Sequence, residues 1–164
     1  MKVQVIGCGN LDRGDDAAGL LVVHRLRQLG IPAEAQSGEA TALMEALARS
    51  QKVILVDAVA ARNEDEIGTI VAWNAGLVPL PGDLFCCSTH AFGVREAVEL
   101  ARNMGRMPQS LIVYGIAGRD FQMWASLSPG VAEAVERVAQ HIASEFFSAR
   151  SPEHALIGTV KEII

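Results

Sequence analysis

KVILVDA, residues Lys52 to Ala58, is apolar at every position from Val53 to Val56 and then meets an acid, Asp57. An unbroken apolar run too short for a helix suits a strand buried on both faces, which belongs at the centre of a helix-covered sheet. The acid then falls at the carboxyl edge of that strand, where such sheets place functional side chains.

Outward from this strand the chain alternates. Val3–Ile6 reads as a first strand, and Asp15–Leu29 as a helix with Ala18, Val22, Leu26 and Leu29 at helical spacing, ended by Gly30. A weaker strand over Ala33–Gln36 precedes a helix over Thr41–Ala48. After the polar turn RNEDE, Ile67–Trp73 fits an antiparallel edge strand, and Pro79–Asp83 a loop. Gly93–Met104 reads as a helix and Leu111–Ile116 as a second buried strand. The last helix is expected to take Ser128 as N-cap and Pro129 as first residue, running to about Phe147.

The expected fold is therefore a single-domain, three-layer α/β/α arrangement over residues 1–150, with a twisted, mostly parallel sheet and helices on both faces. Residues 151–164 are expected to form a tail that frays or packs.

Composition narrows the function. The 164 residues are 50% hydrophobic and 20% charged with a formal net charge of -5, as in a folded globule and unlike a disordered chain. No Lys/Arg cluster offers a footprint for nucleic acid or an anionic membrane face. Val3–Ile6 is too short for a signal sequence or a membrane span, so a cytoplasmic protein is expected. Cys8, Cys86 and Cys87 are odd in number and partly adjacent, which suits reduced thiols.

Ligands of such sheets bind beyond the carboxyl ends of the strands, which singles out the loops after Ile6, after Val56 and before the Gly93 helix. The first reads GCGNLDRGDDAAG, Gly7 to Gly19. A dinucleotide fingerprint would need a third glycine where Asp12 stands, and Asp15 and Asp16 at the helix start would repel a pyrophosphate. One of these acids can cap the helix; the other is left to point into the crevice, where acids on a glycine-supported turn attract a cation. Asp57 and His90, in CCSTHAFG, come from the other two loops. Two carboxylates and an imidazole suit Zn²⁺ or Ni²⁺.

At these residues the sequence resembles the hydrogenase maturation endopeptidases. Members open with a short strand, a G-x-G-N turn and an acidic pair, as Gly7, Gly9, Asn10, Asp15 and Asp16 do here. A strand ending in aspartate matches Val56–Ala58, a histidine before a short helix matches His90, and GIAGRDFQMWASLSPGVAEAV matches the final strand, loop and helix. The resemblance implies an aspartic-type, nickel-dependent endopeptidase that removes a C-terminal extension from a nickel-iron hydrogenase large-subunit precursor after nickel insertion. It implies Asp16, Asp57 and His90 as metal-contacting residues, with nickel carried by the substrate and Zn²⁺ or Cd²⁺ able to replace it in the free protein. Asp57 and Asp16 are the implied catalytic residues, Asp57 being the expected base.

Two departures stand out. The first ligand is often glutamate in the family, and Asp16 is one methylene shorter. The loop that often reads G-G-T-x-G is here SGEATAL, which keeps Gly38 and Thr41 and puts Glu39 beside the expected substrate groove.

Rival readings are a non-catalytic metal- or protein-binding module of the same fold and a nucleotide-binding α/β protein with Glu39 as a ribose-binding acid. No G-x-S-x-G elbow supports a serine mechanism through Ser88. Cys87 and His90 have C-x-x-H spacing, although small cysteines more commonly pack in cores. His24, His141 and His154 are read as residues of solvated helices or of the tail. Trp124 is either a partner-docking residue or packed on its own helix.

Overall fold

The computed structural model describes residues 2–83, 85 and 93–148. Its sheet has five strands: β1 (Val3–Cys8), β2 (Glu34–Gln36), β3 (Lys52–Ala60), β4 (Ile70–Asn74) and β5 (Ser110–Gly118). They lie in the order β2-β1-β3-β5-β4, all parallel except β4, which runs antiparallel to β5. The helices are α1 (Ala18–Gln28), α2 (Ala40–Leu47), α3 (Val94–Asn103) and α4 (Pro129–Ser148). The result is the expected α/β fold.

KVILVDA is the middle strand, paired on both edges, with Ile54 opposite Val5 and Ile112. Its side chains alternate between two cores, as strand geometry requires. Ile54 and Val56 pack with Val22 and Leu26 of α1 and Val138 and Ile142 of α4. Val53 and Leu55 pack with Leu43 and Leu47 of α2 and Val98 of α3. Both faces are covered, which is why this strand shows no polar alternation.

Element boundaries differ from the sequence expectation for identifiable reasons. The helix expected from Asp15 begins with a 3-10 turn over Gly14–Ala17. There the Asp15 N–H donates to Asp120 O and the Asp16 N–H to Arg13 O, so the α-helical ladder starts only at Ala18. The edge strand starts at Ile70 instead of Ile67, because a 3-10 turn over Glu64–Glu66 and Gly68 at φ +86° occupy the approach. Gly30 does end α1, at φ +79°, the left-handed conformation that closes a helix.

Strand β3 is longer than expected. Asp57 lies within it, because pairing with β5 continues to Ala60 opposite Gly118. Pairing with β1, however, stops at Gly7 opposite Val56. Asp57 is thus the first β3 residue with no β1 neighbour, at the point where the sheet opens a crevice.

Helix α1 meets the sheet backbone to backbone. A Cβ on Gly19 would lie 2.3 Å from Cys8 O and 2.5 Å from Val56 O, and one on Gly7 would lie 2.1 Å from Gly19 O. No side chain fits between these elements.

Candidate active site

Strand β1 turns at Gly9, whose φ of +149° and close approach to Asp16 O exclude a side chain. Asn10 secures the turn twice: its N–H donates to Asp16 O at 3.2 Å, and its Oδ1 accepts the Asp12 N–H at 2.9 Å. The Gly9 N–H donates to Gln36 O at 3.1 Å, joining the turn to β2. Asp16 is delivered by backbone contacts to the crevice at the end of β1.

Asp16 and Asp57 line one small cavity together with Cys8, Gly9, Ser37, Gly38, Ala58, Phe85 and Val94. Its volume of about 10 Å³ has room for about one water or ion. Burial, and then the Asp16 charge, push the Asp57 carboxyl well above the usual range, against a 2.9 Å hydrogen bond from the Ala58 N–H. Burial, followed by the charges of Asp57 and Asp16, likewise raises the Cys8 thiol. Arg13 Nη1 lies 4.0 Å from Asp16 Oδ2. A cation entering here would meet two carboxylates that repel each other.

His90 lies outside the described residues, as do Cys86, Cys87, Ser88 and His154. Phe85 and Val94, which flank that stretch in the chain, both line the cavity. Among the described residues, no three His, Cys, Asp or Glu side chains form a metal-binding group. Asp16 and Asp57 fit as part of a donor set that a third residue or the substrate completes.

The acidic pair divides its work, and the hydrogen bonds of Asp15 go to a distant loop instead of the start of α1. Asp15 is fully buried and accepts four hydrogen bonds: from the N–H groups of Arg119 (2.8 Å), Asp120 (3.2 Å) and Ser128 (2.7 Å), and from the Ser128 hydroxyl (2.7 Å). It fastens the connection between β5 and α4. The adjacent acids in the sequence suggested a cap, but the donors that Asp15 satisfies lie over a hundred residues away.

In the SGEATAL loop, Gly38 is buried against the cavity at φ +85°, while Glu39 and Thr41 are exposed and do not line it. Glu39 N-caps α2, accepting from the N–H groups of Thr41 and Ala42 at 3.0 Å each. Glu39→Ala is expected to cost about 1 kcal/mol of stability, measurable by urea denaturation. Asp57, the GxG turn and Gly38 of the SGEATAL loop thus lie on one cavity, with Cys8 and Ser37 also on its lining.

A larger cavity of about 300 Å³, lined by Ile70, Tyr114, Arg137 and His141 among others, lies between β4, β5 and α4. Reading His141 as simply solvated overlooked Glu145, four residues on along α4, whose Oε1 is 3.3 Å from His141 Nε2. That hydrogen bond raises the His141 pKa and lowers that of Glu145. The pair's stabilisation is present below the unfolded-state imidazole pKa and fades as pH rises through the raised folded one; it also fades as pH falls through the lowered Glu145 value. NMR titration should place the His141 midpoint above that of a free imidazole, and Glu145→Gln should bring it down.

Comparison with known proteins identifies the family. A 27% identical relative over 150 residues is the hydrogenase 2 maturation protease of Escherichia coli, with 87% of this chain and 88% of the relative covered. The fold is similar to the crystal structure of a NiFe hydrogenase maturation protease HycI from Thermococcus kodakarensis (TM-score 0.66, 24% identity, 87% of this chain and 90% of that one). It is also similar to the solution structure of an endopeptidase from Escherichia coli (TM-score 0.74, 23% identity, 93% and 100% covered). The family model described as HycI, hydrogenase maturation protease, matches residues 38–145, which include Gly38, Asp57 and the helices on both faces of the sheet. The chain belongs to the hydrogenase maturation protease family.

Proposed function

We propose that this protein is a cytoplasmic, aspartic-type endopeptidase that removes a C-terminal extension from a nickel-iron hydrogenase large-subunit precursor after nickel insertion. One observation carries the reading: Asp16 and Asp57, delivered by separate elements, share a cavity for about one ion at the opening of the crevice. Nickel is part of the substrate in this reading, and Asp16, Asp57 and His90 are the residues that would recognise it. In the free protein Zn²⁺ or Cd²⁺ could take its place.

Amide hydrolysis needs a polarised carbonyl and an activated water, and the substrate's ion beside the scissile bond supplies the first. Asp57 takes a proton from the attacking water at a carboxylate oxygen and returns it to the leaving amine. Asp16 holds the ion and keeps Asp57 electrostatically poised. Gly38, Glu39 and Thr41 form the adjacent wall for the substrate segment, with the Glu39 carboxylate holding the N-terminus of α2 in place.

A second reading, a metal-independent carboxyl dyad, has support in the mutual repulsion of Asp16 and Asp57. Cleavage of nickel-free precursor would favour it.

The deciding experiment incubates the protein with nickel-loaded precursor and follows C-terminal truncation by intact mass. Asp16→Ala, Asp57→Ala and His90→Ala are each expected to slow cleavage by about a thousandfold or more. If the wild type binds the precursor and leaves its mass unchanged, the protein is a binding module of this fold. Thermal stabilisation by nucleotides would instead support the nucleotide-binding reading.

A further inference from the structure

The cavity at Asp16 and Asp57 is too small to enclose a peptide, so any protein substrate must rest mainly on the surface around it. Leu11, Met123 and Trp124 are 63%, 54% and 77% exposed. Leu11 belongs to the turn whose Asn10 N–H is bonded to Asp16 O, and Trp124 is joined to the same turn by its N–H, 2.6 Å from Asp12 O. The backbones that carry Leu11 and Trp124 are therefore tied to the turn that delivers Asp16.

Trp124 is held outward by construction. It has φ +65°, the only positive value at a non-glycine among the described residues, in a conformation costly for a bulky side chain. Both ends of its loop are fastened to buried Asp15, through Arg119 and Asp120 on one side and Ser128 on the other. A strained backbone that presents an aromatic ring to water is poorly explained by the fold, and such rings anchor protein interfaces.

We propose that Leu11, Met123 and Trp124 form the seat for an apolar patch on the folded body of the precursor, orienting it so that its C-terminal segment reaches Asp16 and Asp57; this rests on the endopeptidase reading above. Binding made here is shared by ground and transition states, so losing it raises KM and leaves kcat unchanged.

The test measures KM, kcat and precursor affinity for the wild type, Trp124→Gly, Trp124→Ala, Leu11→Ser and Asp57→Asn, each with its thermal midpoint. Trp124→Gly accommodates the positive φ and is expected to fold as well as the wild type, yet to raise KM about tenfold or more with kcat retained. Leu11→Ser should act in the same direction, and Asp57→Asn should stop turnover while still binding precursor. Wild-type KM in both Trp124→Gly and Leu11→Ser overturns the seat and leaves the endopeptidase standing. A raised KM in Trp124→Ala that glycine restores would show a purely structural role and also overturns it. A wild type that neither binds nor cleaves the precursor overturns the endopeptidase reading and the seat together.

Discussion

Gly19→Ala is expected to lower stability by about 3 kcal/mol or more, a large share of the 5–15 kcal/mol that typically separates folded from unfolded states. The added methyl would lie 2.3 Å from Cys8 O and 2.5 Å from Val56 O, both backbone atoms of strands in the middle of the sheet. Flexible side chains can swing away from such an intrusion; two carbonyls locked in parallel ladders cannot. Helix α1 would have to lift, opening the core formed by Val22 and Leu26 with Val56. A thermal midpoint lower by about 6 °C or more is the expected reading for a chain of this size. Gly30→Ala is the control: nothing lies within 4 Å of its new methyl, and only the left-handed backbone at φ +79° resists, at a cost of about 1 kcal/mol. Equal midpoints for the two variants would mean that the helix–sheet contact has slack.

The second large effect is expected at Asp15. Asp15→Ala strips the acceptor from three backbone N–H groups and the Ser128 hydroxyl in a site closed to solvent, and should cost about 3–5 kcal/mol. Asp15→Asn keeps the shape but turns an amide donor toward donors, so it should recover only part of the loss. Asp16→Asn and Asp57→Asn separate the two roles cleanly. Both remove a charge from a repelling pair and should stop cleavage; stability should hold or rise in Asp57→Asn, whereas Asp16→Asn also gives up the ion pair with Arg13. Chemical denaturation run beside the precursor assay reads both effects. If Asp15→Ala melts with the wild type, the anchoring of the β5–α4 connection has been overstated.

The two carboxylates also show which parts of the site were legible in the sequence. Asp57 could be placed because an unbroken apolar run forces a central strand, and a central strand fixes where its carboxyl edge lies. Its offset from the strand end could not be read, because that depends on β3 outrunning β1 while staying paired with β5. The acids of DD could not be told apart by local pattern, and only the family resemblance pointed to Asp16; the partner that occupies Asp15 is a loop distant in the chain. No local pattern announces such a contact. Glu39 shows the opposite limit: as a departure from the family pattern it drew a functional reading, whereas its spacing to Thr41 and Ala42 was already that of a helix cap. For His141 the signal was available, since Glu145 stands at helical spacing four residues on.

The glycine contact between α1 and the sheet also bears on which substitutions this chain can absorb. Because Gly19 lies against Cys8 O and Val56 O with no side chain between, the offset between the Asp16 turn and the Asp57 strand is set by main chain alone. Core side chains elsewhere can be exchanged for others of similar volume, and the helices can tilt to suit them, while this reference point stays where it is. Sequence drift is thereby uncoupled from the separation of the two carboxylates. Substitutions elsewhere in this core are expected to leave the two carboxylates in register.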